Sequence, residues 1–294
     1  MLARKIRKRK ADRLARNDVY QPEPRVSLMI QSFNHRDHVP DIVAGLRRTA
    51  AEEIIVCEDG SIDGSLQAWT DLLDRPNDFV VRSNDLHELR AYDRAMTLAR
   101  GEIVCLLQDD DIPPEDTSWY DHSVALFERY PKLVMIGGCI GFSGLETCTA
   151  ISDEHPYAPG DITSVYGETP DYATEDGIPF MFVEGINVGP VFIRKKPFLE
   201  IGGFDMSYSP VGWPAIHFDI EMSLRVWREG GQVGWFPMPF AQRGMPGTKS
   251  FGHLQKRLDQ LQRNAAKLHE SFDDLLPTIS EQVARANATL VQRK

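Results

Sequence analysis

Short uninterrupted apolar runs alternate with stretches of helical periodicity from residue 26 to residue 107, and no other feature of the chain constrains its fold as strongly. VSLMI (26–30), IIVC (54–57), FVV (79–81) and IVCLL (103–107) lack the polar alternation of a half-exposed strand, so they predict strands covered on both faces. Between them, three apolar sets recur at helical spacing: Val39, Ile42, Val43 and Leu46; Leu66, Trp69, Leu72 and Leu73; and Leu89, Tyr92, Met96 and Ala99. Gly101 is placed to end the third helix. Strands alternating with helices imply a mainly parallel sheet, and such sheets bind ligands outside the carboxyl ends of their strands. Glu58 and Asp59 follow the second run, and Asp109, Asp110 and Asp111 follow the fourth.

Beyond residue 112 the pattern changes. LVMIGGCIGF (133–142) and VGPVFI (188–193) predict further strands, and 202–205 a turn. Residues 143–180, rich in Gly, Pro, Asp and Thr, predict a long irregular region of the kind that is usually functional or mobile. Ile220, Leu224 and Trp227 predict a helix ending at Gly230 and Gly231. Leu254, Leu258, Leu261, Ala265, Leu268 and Phe272 mark a C-terminal helix, which Pro277 interrupts before a second short one. QPEP (21–24) reads as a stiff linker, so the domain proper is expected from Arg25.

The net charge of −10 is unevenly spread. Arg4, Lys5, Arg7, Lys8, Arg9, Lys10, Arg13 and Arg16 precede a strongly acidic body, which argues against a nucleic-acid surface there. The basic segment suits anionic lipid, RNA or an acidic partner, or a solvated end. No run approaches the ~18 apolar residues of a membrane span, and no apolar stretch follows the basic start as it does in a signal peptide. Cys57, Cys105, Cys139 and Cys148 form no C-x-x-C pair, so neither a zinc site nor a disulfide framework is expected, and a reducing cytoplasm fits.

Three consecutive carboxylates after a buried strand repel one another and raise one another's pKa unless positive charge neutralises them. Mg²⁺ or Mn²⁺ favours one or two carboxylates together with phosphate oxygens and water, so QDDD (108–111) suggests a metal-bridged diphosphate site. A solvated acidic turn ahead of Pro113 and Pro114 is the plainer alternative. EDGSIDGS (58–65) reads as a turn capping the next helix or as a loop in which Asp59 accepts from a base. In HFDIEMSLRVWREG (217–230), Asp219 is placed to act as a general base, and Arg225 either reaches a phosphate or pairs with Glu221 on the surface.

Five segments, in order from Val26 to Gly231, resemble the family 2 glycosyltransferases of the GT-A fold: SFNHRDHV (32–39), VCEDGSIDGS (56–65), ARGEIVCLLQDDD (99–111), NVGPVFIRKKPFLEIGGFD (187–205) and HFDIEMSLRVWREGG (217–231). The resemblance implies a Rossmann-like, mainly parallel α/β sheet flanked by helices, with a C-terminal helical extension. It divides the chain into a basic tail and linker (1–24), a nucleotide-sugar-binding half (25–111), an acceptor-binding half (112–250) and C-terminal helices (251–294). It places Ser32, Asn34, Glu58, Asp59, Arg90 and Asp109 at the nucleotide, Asp110 and Asp111 at a divalent cation (Mn²⁺ or Mg²⁺), and Asp219 as the base that deprotonates an acceptor hydroxyl. Gly203, Phe204, Asp205 and His217 fall on the acceptor side. A nucleotide-sugar donor, UDP-linked by default, and a glycan or lipid-linked acceptor are implied, with inversion of the anomeric centre.

The sequence departs from the family pattern in places. Gln108 takes the first Asp position of D-x-D when Asp110 and Asp111 are aligned as the metal pair, and sliding the frame makes Asp109 and Asp111 the pair. Phe218 stands where an acidic residue often precedes the base. His253 is a weak candidate for an additional metal ligand. These departures leave open a transferase-like binding module without catalysis, and a sugar-phosphate nucleotidyltransferase is a third reading. Contact of the basic tail with the inner face of a membrane and dimerisation through the C-terminal helices complete the expectations.

Overall fold

In the computed structural model, residues 25–84, 86–145, 170–242 and 254–293 are described. The first half is built from β1 (Val26–Ser32), α1 (Val39–Leu46), β2 (Glu53–Glu58), α2 (Ser65–Leu72), β3 (Phe79–Arg82), α3 (His87–Leu98) and β4 (Ile103–Gln108). A short β5 (Asp111–Ile112) and α4 (Ser118–Arg129) lead into β6 (Leu133–Gly137), β7 (Gly141–Phe142), β8 (Tyr172–Ala173), β9 (Met181–Phe182), β10 (Gly185–Ile186) and β11 (Val191–Arg194). α5 (Lys195–Glu200), α6 (Phe218–Arg228), β12 (Gln232–Trp235) and β13 (Ala241–Gln242) follow, and α7 (Leu254–Phe272), α8 (Leu276–Asn287) and β14 (Val291–Gln292) end the chain.

Eight strands form the central sheet in the order β3-β2-β1-β4-β11-β6-β12-β9. The four continuous apolar runs become the parallel block β3-β2-β1-β4, buried on both faces as their composition requires. β11 enters antiparallel between β4 and β6, while β12 runs parallel to β6. Register then sets the functional edge. Ser32 is level with Glu58, and Gln31 with Gln108, so Asp59 and Asp109 are the first residues beyond the carboxyl ends of β2 and β4. Because β11 is reversed, its beginning lies at that same edge, with Val191 paired to Leu106. The segment 188–190 therefore enters beside the acidic cluster.

The C-terminal extension also has a structural reason. β9 is an edge strand, and an open edge invites pairing with other chains. The Asn287 side chain meets this edge from α8: its amide nitrogen donates to Phe182 O at 2.9 Å, and its oxygen accepts from Phe182 N at 2.8 Å. None of the described helices is long and apolar enough to cross a membrane.

Several boundaries differ from the sequence reading. LVMIGGCIGF is not one strand: β6 stops at Gly137, and β7 turns away to pair with β10. A Cβ at Gly137 would lie 2.6 Å from the Ile186 side chain, so the glycine pair serves close packing across the sheet. VGPVFI begins its strand at Val191, because Gly189 takes φ +93° and Pro190 has no N–H for a ladder. In α2, Leu72 is exposed and the buried face is Ser65 and Trp69. Arg225 does pair with Glu221, at 2.7 Å, but both side chains are buried. Pro277 opens α8 in its first turn, where a missing N–H costs nothing. Cys57 and Cys105 are free thiols; Cys148, His253 and the basic residues 4–16 lie outside the described residues.

Gly101 is the clearest correction. α3 ends at Leu98 with Ala99 as its cap, and Gly101 is needed for proximity: a Cβ there would meet Ser27 N at 2.6 Å and Ser27 Oγ at 2.7 Å. Gly101 N donates to that hydroxyl at 2.9 Å, and the hydroxyl in turn donates to the buried Glu53. Gly101→Ala is expected to lower stability by about 1–3 kcal/mol through overpacking, read from urea unfolding midpoints. An unchanged midpoint would show that the backbone yields at this contact.

Candidate active site

The loops after β1 and β2 are fastened to each other. Asn34 adopts φ 57°, its backbone N–H donates to Ser61 Oγ at 2.9 Å, and its side-chain oxygen accepts from Ile62 N at 2.9 Å. Arg36 N donates to Asp63 at 3.0 Å. These bonds form one rim of the sheet edge. Ser32 lies beneath it, fully buried, accepting from the Trp69 indole at 2.8 Å. Glu58 accepts from Ser61 N at 2.6 Å, closing its own turn. Asp59 accepts from Ser83 Oγ at 3.0 Å, Leu86 N at 2.8 Å and His87 N at 2.9 Å. His87 adopts φ 59°, uncommon for a side-chain-bearing residue, and Asp59 holds the backbone there at the head of α3.

The three consecutive aspartates have three different environments. Asp109 is turned toward the β1 loop, accepting from Phe33 N at 2.5 Å and from His35 Nδ1 at 2.7 Å. Its carbonyl accepts from His38 Nδ1 at 3.0 Å, and the two imidazoles stack at 4.8 Å. Asp111 is fully buried and folds back to accept from Gln108 N at 2.8 Å. A Cβ at Gly189 would lie 2.9 Å from its Oδ2, so the incoming β11 segment packs directly on this carboxylate. Asp110 is half-buried, and among the described residues its side chain accepts from its own backbone N–H but from no other residue. Burial first, and the charge of Asp109 second, raise its pKa above the ordinary carboxylate value.

Asp219 opens α6 in the first turn. Its Oδ2 accepts from Val188 N at 3.3 Å and its Oδ1 from Ile220 N at 3.0 Å. Desolvation pushes its pKa up to about 6, outweighing these backbone bonds, and Glu88 adds to the rise. The segment 188–190 thus touches Asp219 through Val188 N and Asp111 through Gly189. Below them, Tyr92 donates to Leu107 O at 3.1 Å, and its phenol feels Asp111, Glu88, Asp109 and Asp110 in turn after the main effect of burial. The aspartates 109–111, Glu88 and Asp219 therefore share one electronegative region.

The remaining expected residues have structural partners. Arg90 reaches Ser209 O at 2.8 Å. Gly203 adopts φ 65°, and its carbonyl and that of Ile201 accept from Arg225, which anchors the turn to α6. Phe204 packs edge-on against Phe198 at 5.0 Å. Asp205 caps the short turn 206–208 and pairs with Lys267 at 2.9 Å. His217 adopts φ 62°; burial lowers its pKa to about 4, and its buried Nδ1 has no hydrogen-bond partner. Sequence reasoning missed His35, His38 and Glu88. The i,i+3 histidines of SFNHRDHV and the acidic residue after the third strand were the available signals.

An α/β sheet of this order, with a carboxylate cluster beyond its fourth strand and a half-buried aspartate at the head of a neighbouring helix, is the layout of a GT-A glycosyltransferase. The chain belongs to glycosyl transferase family 2: residues 27–182 match that family's model. The fold is shared with the mannosyltransferase PcManGT from Pyrobaculum calidifontis, solved with GDP-Man and Mn²⁺, at a TM-score of 0.56 and 16% identity over 91% of this chain and 76% of that one. Staphylococcus aureus TarS 1–349, solved with UDP-GlcNAc, gives a TM-score of 0.52 and 14% identity over 77% of this chain and 61% of that one. Glucosyl-3-phosphoglycerate synthase from Mycobacterium tuberculosis, solved with Mn²⁺, UDP and glucosyl-3-phosphoglycerate, gives 0.50 and 12% over 82% and 80%. No curated protein matches this chain in sequence.

Asp59→Ala removes the acceptor for three donors at the head of α3. The expected loss is about 2–4 kcal/mol in unfolding free energy, measured by urea denaturation. Stability within 0.5 kcal/mol of the parent, roughly the range for a surface substitution, would contradict the structural role of this carboxylate.

Proposed function

We propose that this glycosyltransferase moves a sugar from a nucleoside-diphosphate donor, UDP-linked by default, to a hydroxyl of a glycan or lipid-linked acceptor, with inversion at the anomeric carbon. The supporting observation is Asp219, a carboxylate with its pKa raised to about 6, joined through 188–190 to the edge that carries Asp110. A base must be ionised at working pH yet retain proton affinity, and a pKa near 6 meets both needs. Asp219 takes the proton of the attacking hydroxyl while the backbone amides of Val188 and Ile220 hold its orientation. The donor occupies the half 25–111 and the acceptor the half 112–250.

A divalent cation, Mn²⁺ or Mg²⁺, fits the donor set through Asp110. Among the described residues no three His, Cys, Asp or Glu side chains group to hold a metal by themselves. One carboxylate with diphosphate oxygens and water is nonetheless the coordination these hard ions favour beside nucleotides. Asp109 and Asp111 are held by protein donors, while Asp110, carrying the raised pKa, gains most from a cation. When bound, the cation offsets the negative charge that builds on the departing diphosphate.

The following outcomes test this reading. Asp219→Asn is expected to lower sugar transfer at least 100-fold while nucleoside diphosphate affinity stays within threefold, and full turnover by this variant would remove the base. In the parent enzyme, kcat/KM should fall as pH drops below about 6, where Asp219 gains its proton. The same carboxyl carries a folded pKa above its unfolded one, so its contribution to stability is present at low pH and lost as pH rises through about 6. Asp219→Asn should therefore raise the melting temperature at pH 8 but hardly at pH 4. Asp110→Asn should abolish the extra thermal stabilisation that Mn²⁺ adds to UDP or GDP. Equal Mn²⁺ enhancement in parent and variant would move the metal elsewhere. Nucleotide binding with no turnover across a donor and acceptor panel would instead favour a binding-only module.

A further inference from the structure

The chain between the turn at 202–205 and Asp219 passes through a protruding segment whose ends meet at one side chain. Asn264 and Gln260, on α7, are fully buried, an unusual place for two amides. Asn264 Nδ2 donates to Tyr208 O at 3.0 Å and to Ile216 O at 2.6 Å. Gln260 Nε2 donates to the same Tyr208 carbonyl at 2.9 Å and to Asn264 Oδ1 at 3.0 Å, which orients the second amide. Tyr208 and Ile216 bracket residues 209–215, so a single amide closes the neck of this loop.

Toward its tip the loop is also touched by Lys256 of α7, whose Nζ donates to Gly212 O at 3.5 Å and lies 5.5 Å from the Trp213 ring centre. Ser209 Oγ donates to Trp213 O at 2.9 Å within the loop, and Arg90 reaches Ser209 O from α3. Its tip, Val211, is 81% exposed. One turn further along α7, Lys267 pairs with Asp205 at 2.9 Å and lies 4.1 Å from the Tyr208 ring centre, holding the entry to the neck. The exit leads from Ile216 directly to His217, at φ 62°, and then to Asp219. A residue held at positive φ persists only where its surroundings over-determine it, and the Ile216 anchor is the constraint immediately before it.

We propose that Asn264 is a positioning residue for the acceptor side of the enzyme: by fastening Tyr208 O to Ile216 O it fixes the loop 209–215 and, through His217, the placement of Asp219. This inference rests on Asp219 being the base. It gives the C-terminal helix, which lies beyond the residues matched by the family model, a role in the reaction. The amide touches no substrate and acts only through the neck.

The test compares the parent with Asn264→Ala, Gln260→Met and Asp219→Asn. Nucleoside diphosphate release is measured from UDP-N-acetylglucosamine and GDP-mannose with Mn²⁺, and hydrogen exchange over 209–217 is followed in the same proteins. Asn264→Ala should lower kcat at least tenfold with donor KM within twofold, and accelerate exchange at 209–217 while α1 and α2 keep theirs. Gln260→Met, which leaves both Asn264 bonds in place, should show the same split at smaller size and decides the matter if Asn264→Ala does not fold. A parental kcat in these variants, or a kcat and donor affinity that fall together, overturns the inference while an inactive Asp219→Asn leaves the base in place. A fully active Asp219→Asn removes the base itself, and the inference with it. If neither donor is turned over, unchanged exchange at 209–217 overturns the neck, and local acceleration supports it.

Discussion

The crowding of carboxylates beyond β4 is the constraint around which the functional edge is arranged. Three adjacent aspartates at a buried strand end cannot all remain ionised without partners. Asp109 is drawn toward β1 by Phe33 N and His35, and Asp111 folds beneath Gln108 N. What remains is Asp110, desolvated, repelled by Asp109 and, among the described residues, without a donor from another residue. In the proposed reading, the cation is held at this third charge.

The reversed strand β11 supplies the other half of the arrangement. A parallel strand there would start at the opposite edge of the sheet. Entering antiparallel, it delivers Val188 N to Asp219 and the bare backbone of Gly189 to Asp111. One short segment thereby couples the acidic edge to the head of α6. The stability lost by burying Asp219 under desolvation is the kind of cost that functional groups carry and structural ones avoid. Glu221 and Arg225, later on the same helix, show the structural solution: both are buried, and they are paired.

Much of this was legible in the sequence because it is local. The parallel block β3-β2-β1-β4 follows from continuous apolar runs, and the acidic clusters fall at strand ends by adjacency alone. The same adjacency marked Asp219 at a helix head. Hydrogen-bonding partners were not legible, since they depend on register between distant segments. Phe33 and Asp109 are separated by 76 residues, and Arg90 and Ser209 by 119. Asp59 illustrates the consequence. Its turn reads either as a cap of the next helix or as a loop that meets a base, and its carboxylate accepts three bonds that build the start of α3. Gly101 reads as a helix terminator, although its requirement comes from Ser27 on a neighbouring strand. Glycines carry two meanings in sequence, conformational freedom and close approach, and only packing separates them.

Electron paramagnetic resonance of Mn²⁺ addresses the cation position most directly. Titrating Mn²⁺ into the protein with and without UDP or GDP should show tight uptake of about one ion only when the diphosphate is present, because a single protein carboxylate is too weak a cage alone. Uptake of the same strength without nucleotide, or none with it, would mean that Asp110 is not where charge, cation and diphosphate meet.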